Sequence, residues 1–143
     1  MPAFADILDK QSSEIERPKP LPVGTYTAVV RGMPEFDKSS KKQTPFARFV
    51  LEILGPDEDV DREALEEAGG WQGRTLRHTL YLTEDAAWRA KEFCDHCGVD
   101  PDGTLGQRLE SCNGCQVLIE VRHEASQSGD GVFANIARTA AIG

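Results

Sequence analysis

The chain of 143 residues is 39% hydrophobic and 28% charged, a balance typical of a globular protein that buries one core. It contains no apolar run near the ~20 residues of a membrane span and no charged-then-apolar leader, so we expect a cytoplasmic protein without membrane contact. The net charge of −8 argues against nucleic-acid binding, but residues 57–67 hold seven acids and one base, which leaves the remainder close to balance.

The first part of the chain is predicted to contain an arm and two strands. Residues 1–20 are weakly patterned and end in a Pro-rich run, which predicts a flexible arm before a single domain over 21–143. Alternation of apolar and polar residues predicts a first strand over Thr25–Arg31 and a second over Pro45–Leu54. The link between them, 32–44, is rich in Lys and Ser and is predicted to be a flexible, solvated loop.

An acidic segment over 57–67 follows the second strand. Its density of carboxylates is typical of a solvated loop, within which Ala64 and Leu65 indicate a short helix. The alternative is a segment that binds a partner, or that mimics DNA and competes for a binding groove.

A strand that runs directly into a helix occupies the middle of the chain. The strand is predicted over Gly73–Leu82 and the helix over Glu84–Cys97, with Thr83 as the N-cap and Gly98 as the stop. Apolar residues at helical spacing in Leu105–Leu109 predict one or two further helical turns.

Two more strands complete the predicted fold, over Gln116–His123 and Val132–Thr139, with a loop over 126–131 between them. The order strand-strand-strand-helix-strand-strand is that of the oligonucleotide-binding (OB) barrel. We therefore predict a mostly β protein, a five-stranded OB-fold barrel with one α-helix between strands three and four.

Basic and aromatic residues concentrate on the first three predicted strands and their connections. In an OB barrel, strands two and three face the ligand groove. Cations there would follow the phosphates, and flat rings would stack on bases for about 1–3 kcal/mol per base without reading sequence. The alternative is a solvated outer face whose Arg side chains cover apolar surface. The candidate nucleic-acid-binding residues are Arg31, Lys38, Lys41, Lys42, Phe46, Arg48, Trp71, Arg74, Arg77 and Tyr81.

The four cysteines form two CxxC pairs, Cys94 with Cys97 and Cys112 with Cys115, separated by 14 residues. Two short chelating pairs of this kind can supply the four thiolates of a tetrahedral structural zinc site, so we predict bound Zn²⁺. Buried free thiols and disulfides are the alternatives, and Cys97 also fits the apolar stripe of the predicted helix. A thiol-redox role is not favoured, because the first pair lies at a helix C-terminus, where the dipole destabilises a thiolate.

Enzyme motifs are absent from the sequence. There is no phosphate-loop glycine pattern, no nucleophile elbow and no metalloprotease helix motif. We therefore predict a binding protein and not an enzyme.

Several stretches between residues 20 and 139 resemble bacteriophage single-stranded DNA-binding proteins of the OB-fold. They are Leu21–Val30, Lys41–Phe46, Trp88–Phe93, Cys97–Pro101, Gly114–Val121 and the pair Asn135–Ile136. The resemblance implies a protein that coats single strands during phage DNA replication or recombination, in the bacterial host cytoplasm, alongside other replication or recombination proteins. Many such proteins end in an acidic tail that recruits these partners. This chain ends Arg138–Gly143, so recruitment through a tail is not expected.

Together these patterns predict sequence-tolerant binding of single-stranded DNA. The alternative is an OB-fold protein–protein adaptor without nucleic-acid binding, which the net charge of −8 favours. An oligomer is compatible with either function.

Overall fold

A computed structural model describes residues 19–125 and 132–142 of the chain. The predicted arm over 1–20, apart from its last two residues, and the predicted loop over 126–131 lie outside the described residues. The strands are β1 (Gly24–Val30), β2 (Glu35–Lys38), β3 (Pro45–Pro56), β4 (Thr75–Tyr81), β5 (Gln116–Ala125) and β6 (Val132–Ala140). The helices are α1 (Arg62–Glu67), α2 (Ala87–Cys97) and α3 (Leu105–Glu110).

One antiparallel sheet of six strands contains all of these strands, and β1 lies at its centre between β3 and β5. The long β3 also pairs with β2 and β4, and β5 pairs with β6. Strand β4 lies next to β6, but no hydrogen-bonded pairing joins these two strands in the described part of the chain. The sheet therefore curls toward a barrel without closing, an arrangement consistent with an OB-like β fold.

The prediction of a mostly β protein is confirmed, but the structure differs from the predicted five-stranded OB-fold barrel with one α-helix between strands three and four. The sheet has six strands and stays open, and both α2 and α3 lie between β4 and β5. The extra strand is β2, which lies within the segment predicted to be a loop. Because its four residues are all exposed, β2 shows no alternation of buried and exposed positions that a sequence pattern could reveal.

Strand β2 is joined to β3 by a tight turn over Ser39–Thr44. The Ser39 amide donates to the Thr44 carbonyl (2.8 Å), and the Thr44 amide donates to the Ser39 hydroxyl (3.0 Å). Gln43 adopts a left-handed φ of 54° to complete the turn. The residues between the first two predicted strands thus form a β-hairpin arm with β3, and not a flexible loop.

The core lies inside the curled sheet, as the predicted alternation requires. The inward residues of β1, β3 and β5 are buried, and the Phe93 ring of α2 packs on Phe49 at 4.9 Å between ring centroids. These inward residues are Tyr26, Ala28, Val30, Ala47, Phe49, Leu51, Ile53, Val117, Ile119 and Val121. Tyr26 donates its hydroxyl to the Pro22 carbonyl (2.8 Å), and burial raises the pKa of this tyrosine to about 12.

The acidic segment over 57–67 is anchored to the barrel. Val60 and Leu65 are buried in the core, and the short helix predicted around Leu65 is α1. Asp59 accepts hydrogen bonds from the Thr25 amide and hydroxyl (both 2.9 Å), and these bonds hold the pKa of its carboxyl below the usual value. Asp61 caps α1 by accepting from the amides of the first helical turn. Part of the acidity thus serves to fix this segment across one end of the sheet.

Helix α2 begins three residues later than predicted, at Ala87. Thr83 does not cap the helix; its hydroxyl and carbonyl instead accept from the Ala86 and Ala87 amides in a turn that precedes it. Gly98 ends the helix as predicted, in the left-handed conformation with φ of 78°. Among the described residues, no helix has the length and apolar character needed to cross a membrane.

Substitution of Gly24 tests the packing of the acidic segment against β1. Its φ is +145°, and an added Cβ would lie 2.6 Å from the Val60 side chain and 3.2 Å from the Val60 backbone. We expect Gly24→Ala to lower the free energy of unfolding by about 1–3 kcal/mol, through backbone strain and this close contact. Urea unfolding monitored by circular dichroism measures the change.

Gly55→Ala is the matched control, because nothing lies within 4 Å of a Cβ built at Gly55 and its backbone needs no left-handed conformation. We expect a change within about 1 kcal/mol for this variant. Equal unfolding midpoints for the two variants would contradict the packing described for Val60.

Candidate nucleic-acid interface

The outer face of β3 and β4 carries the central part of the predicted set. In the β3–β4 register, Phe46 lies opposite Tyr81 and Val50 opposite Arg77. Residues opposite each other on paired strands project to the same side of the sheet, and alternate residues here face the core. Arg48 and Arg77 therefore share one outer face with Tyr81.

Phe46 and Arg48 form a stacked pair on this face. The Arg48 guanidinium carbon lies 4.7 Å from the centroid of the Phe46 ring, which is only 6% exposed. Arg48 also donates its Nε to the Thr79 hydroxyl (3.3 Å) and lies 3.8 Å from Glu35. The ring of Phe46 thus supports Arg48 and is not open for stacking by a base.

The remaining cations of the outer face differ in how they are paired. Arg31, just after β1, forms an ion pair with Glu52 at 2.9 Å. Arg77 is exposed and takes part in no salt bridge among residues 19–125 and 132–142. Arg77 is therefore the more available of the two for an incoming phosphate.

The β2–β3 hairpin brings three predicted lysines to one end of this face. Lys38 ends β2, Lys41 and Lys42 lie in the turn, and all three are exposed. The same hairpin exposes Phe36, with 49% of its surface accessible. Sequence reasoning missed Phe36 because its strand was predicted to be a loop.

A groove of about 520 Å³ lies where β4 and β6 part without pairing, bordered by the first turns of α2. His78, Leu80 and Ile136 contribute its inner side, where each is partly or fully buried. The described residues that line it include three arginines and one glutamate. These charged residues are Arg77, Arg89, Arg138 and Glu92.

Two exposed aromatic rings line this groove. Tyr81 is 48% exposed on β4 and Trp88 is 56% exposed on α2. The Arg89 guanidinium carbon lies 5.3 Å from the Trp88 ring, within cation–π range. The groove thus combines accessible rings with cations, the combination that single-stranded nucleic acid requires.

Trp88, Arg89 and Arg138 were not among the predicted residues. Trp88 could have been found, because it falls outside the apolar stripe of α2, whose buried members include Ala90, Phe93 and Cys97. A large ring off the buried stripe of a helix is exposed by geometry. Arg138 had no such signal, since the approach of β6 to β4 is a long-range feature.

Arg138 is partly neutralised by its neighbours on β5. It forms an ion pair with Glu120, which also pairs with Arg122 at 2.7 Å. The Arg138 and Arg122 guanidinium groups hold the pKa of the Glu120 carboxyl below its usual value. One carboxylate thus sits between two cations, and the cluster keeps an excess of positive charge beside the groove.

Trp71 and Arg74 lie away from the outer face. Arg74 shares the inward parity of Leu76 and donates to the Lys19 carbonyl (2.7 Å) and the Ala68 carbonyl. Trp71 is half-buried and packs against the core. Both residues hold the connection between α1 and β4 against one end of the curled sheet.

The structure also brings the two CxxC pairs together. Cys94 and Cys97 lie in the last turn of α2, and Cys112 and Cys115 lie between α3 and β5. The sulfurs of Cys94 and Cys112 are 3.9 Å apart. As the side chains are placed, no three His, Cys, Asp or Glu residues of the described chain could hold a metal ion.

Comparisons with known proteins add little to this geometry. No protein-family model matches the chain, and no curated protein matches it. Among solved structures, the chain is similar to yeast RPA bound to ssDNA, at 8% identity and a TM-score of 0.38, over 98% of this chain and 86% of that one. A likeness at this level carries no argument about fold or function.

His78, on the inner side of the groove, makes stability depend on pH. Its ring lies 5.2 Å from Phe93, and burial lowers its pKa from 6.5 to about 4. As the pH falls below 6.5, His78 therefore becomes protonated in the unfolded chain, whereas in the folded chain it stays neutral until about pH 4. We expect the free energy of unfolding to fall by about 2 kcal/mol between pH 7 and pH 5.

Urea unfolding at a series of pH values measures this decline, and His78→Phe should remove most of it while keeping a ring against Phe93. His123→Gln, at an exposed position, serves as the control and should keep the decline. An unaltered pH profile in His78→Phe would show that His78 is not the group responsible.

Proposed function

We propose that this protein binds single-stranded DNA with little sequence preference, through its OB-like sheet. The binding surface is the outer face of β3 and β4 together with the groove between β4 and β6. The observation that carries the proposal is the pair of exposed rings, Tyr81 and Trp88, in one groove with Arg77, Arg89 and Arg138.

The chemistry of this surface favours single strands over duplexes. An exposed ring gains about 1–3 kcal/mol from an unpaired base that stacks on it, and any base can do so because every base has a flat face. In a duplex these faces are covered by neighbouring bases. The guanidinium groups would bind phosphates of either form, so the preference comes from Tyr81 and Trp88.

A path for the strand follows from the positions of the cations. We propose that phosphates pass from the hairpin lysines, across Arg48 and Arg77, to the groove. Phe46 holds Arg48 in place from below, with 4.7 Å between the ring centroid and the guanidinium carbon. Arg31, Trp71 and Arg74 contribute to binding only indirectly in this proposal, because their side chains are engaged with Glu52 or with the barrel end.

The acidic segment does not oppose this arrangement. Residues 57–67 carry most of the net charge of −8, and none of them is among the described residues that line the groove. At physiological salt, charges separated by more than about 8 Å of solvent are largely screened from one another. A local excess of cations can therefore bind phosphate on a chain that is acidic overall.

The proposal extends to the process that the protein serves. We place it in bacteriophage DNA replication or recombination, in the host cytoplasm, with other proteins of that process as partners. This part rests on the resemblance of stretches within residues 20–139 to phage single-stranded DNA-binding proteins.

One prediction of the proposed function concerns the outer-face arginines, Arg48 and Arg77. We expect Arg48→Ala combined with Arg77→Ala to weaken binding of a labelled thymidine strand of about 30 nucleotides, longer than the ~4–16 that one OB-fold covers. Loss of two phosphate contacts should also flatten the slope of log affinity against log salt by about 1.4. Fluorescence polarisation between about 50 and 200 mM salt measures both quantities, with the duplex as comparison.

The matched control is Arg62→Ala combined with Lys91→Ala, which removes the same charge from exposed positions outside the groove lining. We expect this control to keep the wild-type salt slope. Equal effects of the two double variants would refute the path proposed for the phosphates. Absence of binding by the wild-type protein at low salt would refute DNA binding and favour the protein–protein adaptor.

The second prediction concerns the rings. We expect Tyr81→Ala and Trp88→Ala each to weaken single-strand binding by about 5- to 150-fold, the equivalent of about 1–3 kcal/mol for one lost stack. Phe133→Ala is the control, because Phe133 is 45% exposed but lies outside the groove lining. In a Trp71→Phe background, binding should also quench the fluorescence of the remaining Trp88, and unchanged emission at saturation would contradict stacking there.

A further inference from the structure

The cysteine cluster joins parts of the chain that the sheet does not connect. Cys94 and Cys97 come from the end of α2, whereas Cys112 and Cys115 come from the turn before β5. Three of the four are buried and Cys115 is half-buried. The thiol of Cys112 lies 3.9 Å from that of Cys94.

We propose that these four cysteines bind one structural Zn²⁺ ion as tetrahedral thiolates. With Zn–S bonds of about 2.3 Å, two sulfurs of a tetrahedral site lie about 3.8 Å apart. The 3.9 Å between Cys94 and Cys112 matches this separation. It does not match a disulfide, whose sulfurs lie about 2.05 Å apart.

Metal binding requires all four thiols to point toward one centre. The Cys115 thiol now donates to the Ser111 carbonyl at 3.6 Å, and the Cys112 thiol to the Arg108 carbonyl at 3.4 Å. As four Zn–S bonds form, the four S–H protons pass to solvent and these weak donors are given up. Release of these two contacts is a side-chain change that needs no break in α2 or in the turn.

The backbone around both pairs is already bent as a chelating turn requires. Gly98, directly after the first pair, has φ of 78°, and Gly114, inside the second, has φ of 85°. Both values lie in the left-handed region that favours glycine. Each CxxC pair therefore lies in or beside a tight turn that can point its two sulfurs to one side.

A buried cation sits beside the cluster. Arg108 is only 6% exposed, and its backbone carbonyl lies 3.4 Å from the Cys112 sulfur. Its Nε donates to the Asp100 carbonyl (2.9 Å) and its Nη2 to Asp95 (2.7 Å), so its position is fixed. Four thiolates around Zn²⁺ would carry a net charge of about −2, and the Arg108 guanidinium, paired with Asp95, would lie beside them.

The ion would connect α2 to the first strand of the sheet. Cys115 accepts from the Val30 amide and Gly114 donates to the Val30 carbonyl, both at 2.9 Å. Within the same turn, Asn113 accepts from the Gly32 amide at 3.0 Å. Zinc would therefore brace the segment that leads from β1 into the hairpin. Binding of the ion does not depend on the proposed binding of DNA.

Metal content tests the site directly. We expect the full chain, produced with zinc and purified without chelator, to contain one equivalent of Zn²⁺ by elemental mass spectrometry. Replacement by Co²⁺ should give the intense visible bands and the sulfur-to-metal charge-transfer band of a tetrahedral thiolate site. Removal of the metal with a chelator should lower the midpoint of thermal unfolding, and added zinc should restore it.

Two variants identify the ligands. Cys115→Ser, at the half-buried position, should remove the charge-transfer intensity of one thiolate and raise the dissociation constant for zinc at least tenfold. His96→Gln, inside the first CxxC pair, should keep one equivalent of zinc and an unchanged Co²⁺ spectrum. Less than half an equivalent in the wild-type chain after zinc supplementation would overturn the proposal, whether thiol titration then finds four free thiols or disulfides.

Discussion

The core and the candidate interface both depend on β3, which contributes one of its two faces to each. Strand β3 pairs with three other strands, so its inward residues form the centre of the core while its outward residues form the centre of the candidate interface. Phe49 packs on Phe93 inside, and Arg48, one residue earlier, stacks on Phe46 outside. Because side chains alternate strictly along a strand, a shift of register by one residue would exchange core and interface. The same alternation therefore specifies both the core and the face proposed for binding.

The acidic residues of the segment over 57–67 and the basic residues of the outer face differ in what their side chains contact. Asp59 accepts a hydrogen bond from the Thr25 amide that holds the segment over 57–67 on β1, and Asp61 accepts from amides of its own segment to cap α1. Backbone amides satisfied in this way contribute to stability without any partner molecule. On the outer face, Arg77 is exposed and makes no ion pair with any residue of the described ranges 19–125 and 132–142. The net charge of −8 is therefore the sum of one strongly acidic segment and a remainder that is close to balance and carries the exposed cations of the outer face.

Sequence patterns predicted the parts of the fold that alternate between core and solvent, and they failed where neither face is buried. The strands over Gly24–Val30 and Pro45–Pro56 were recognisable because one face of each is apolar. The hairpin strand β2 was not, since all of its residues are exposed. For the site, outward parity placed Arg77 and Tyr81 correctly on one face. The same alternation of inward and outward side chains would have placed Arg74 on the inner face with Leu76. The burial of Phe46, between two flanking strands and beneath Arg48, depends on contacts that no local sequence pattern encodes.

Helix α2 links the two sites that lie outside this pattern. Ala90 and Phe93 bury one side of the helix against the sheet, and this packing sets the direction of the other residues. The first turn directs Trp88 toward the groove, and the last turn carries Cys94 and Cys97 to the cysteine cluster. A helix of 11 residues is about 16 Å long, and its two ends move together as one rigid body. The proposed ion would fix the C-terminus of α2 to the turn before β5 and thereby the Trp88 ring at its N-terminus, so it would order the candidate groove without touching it.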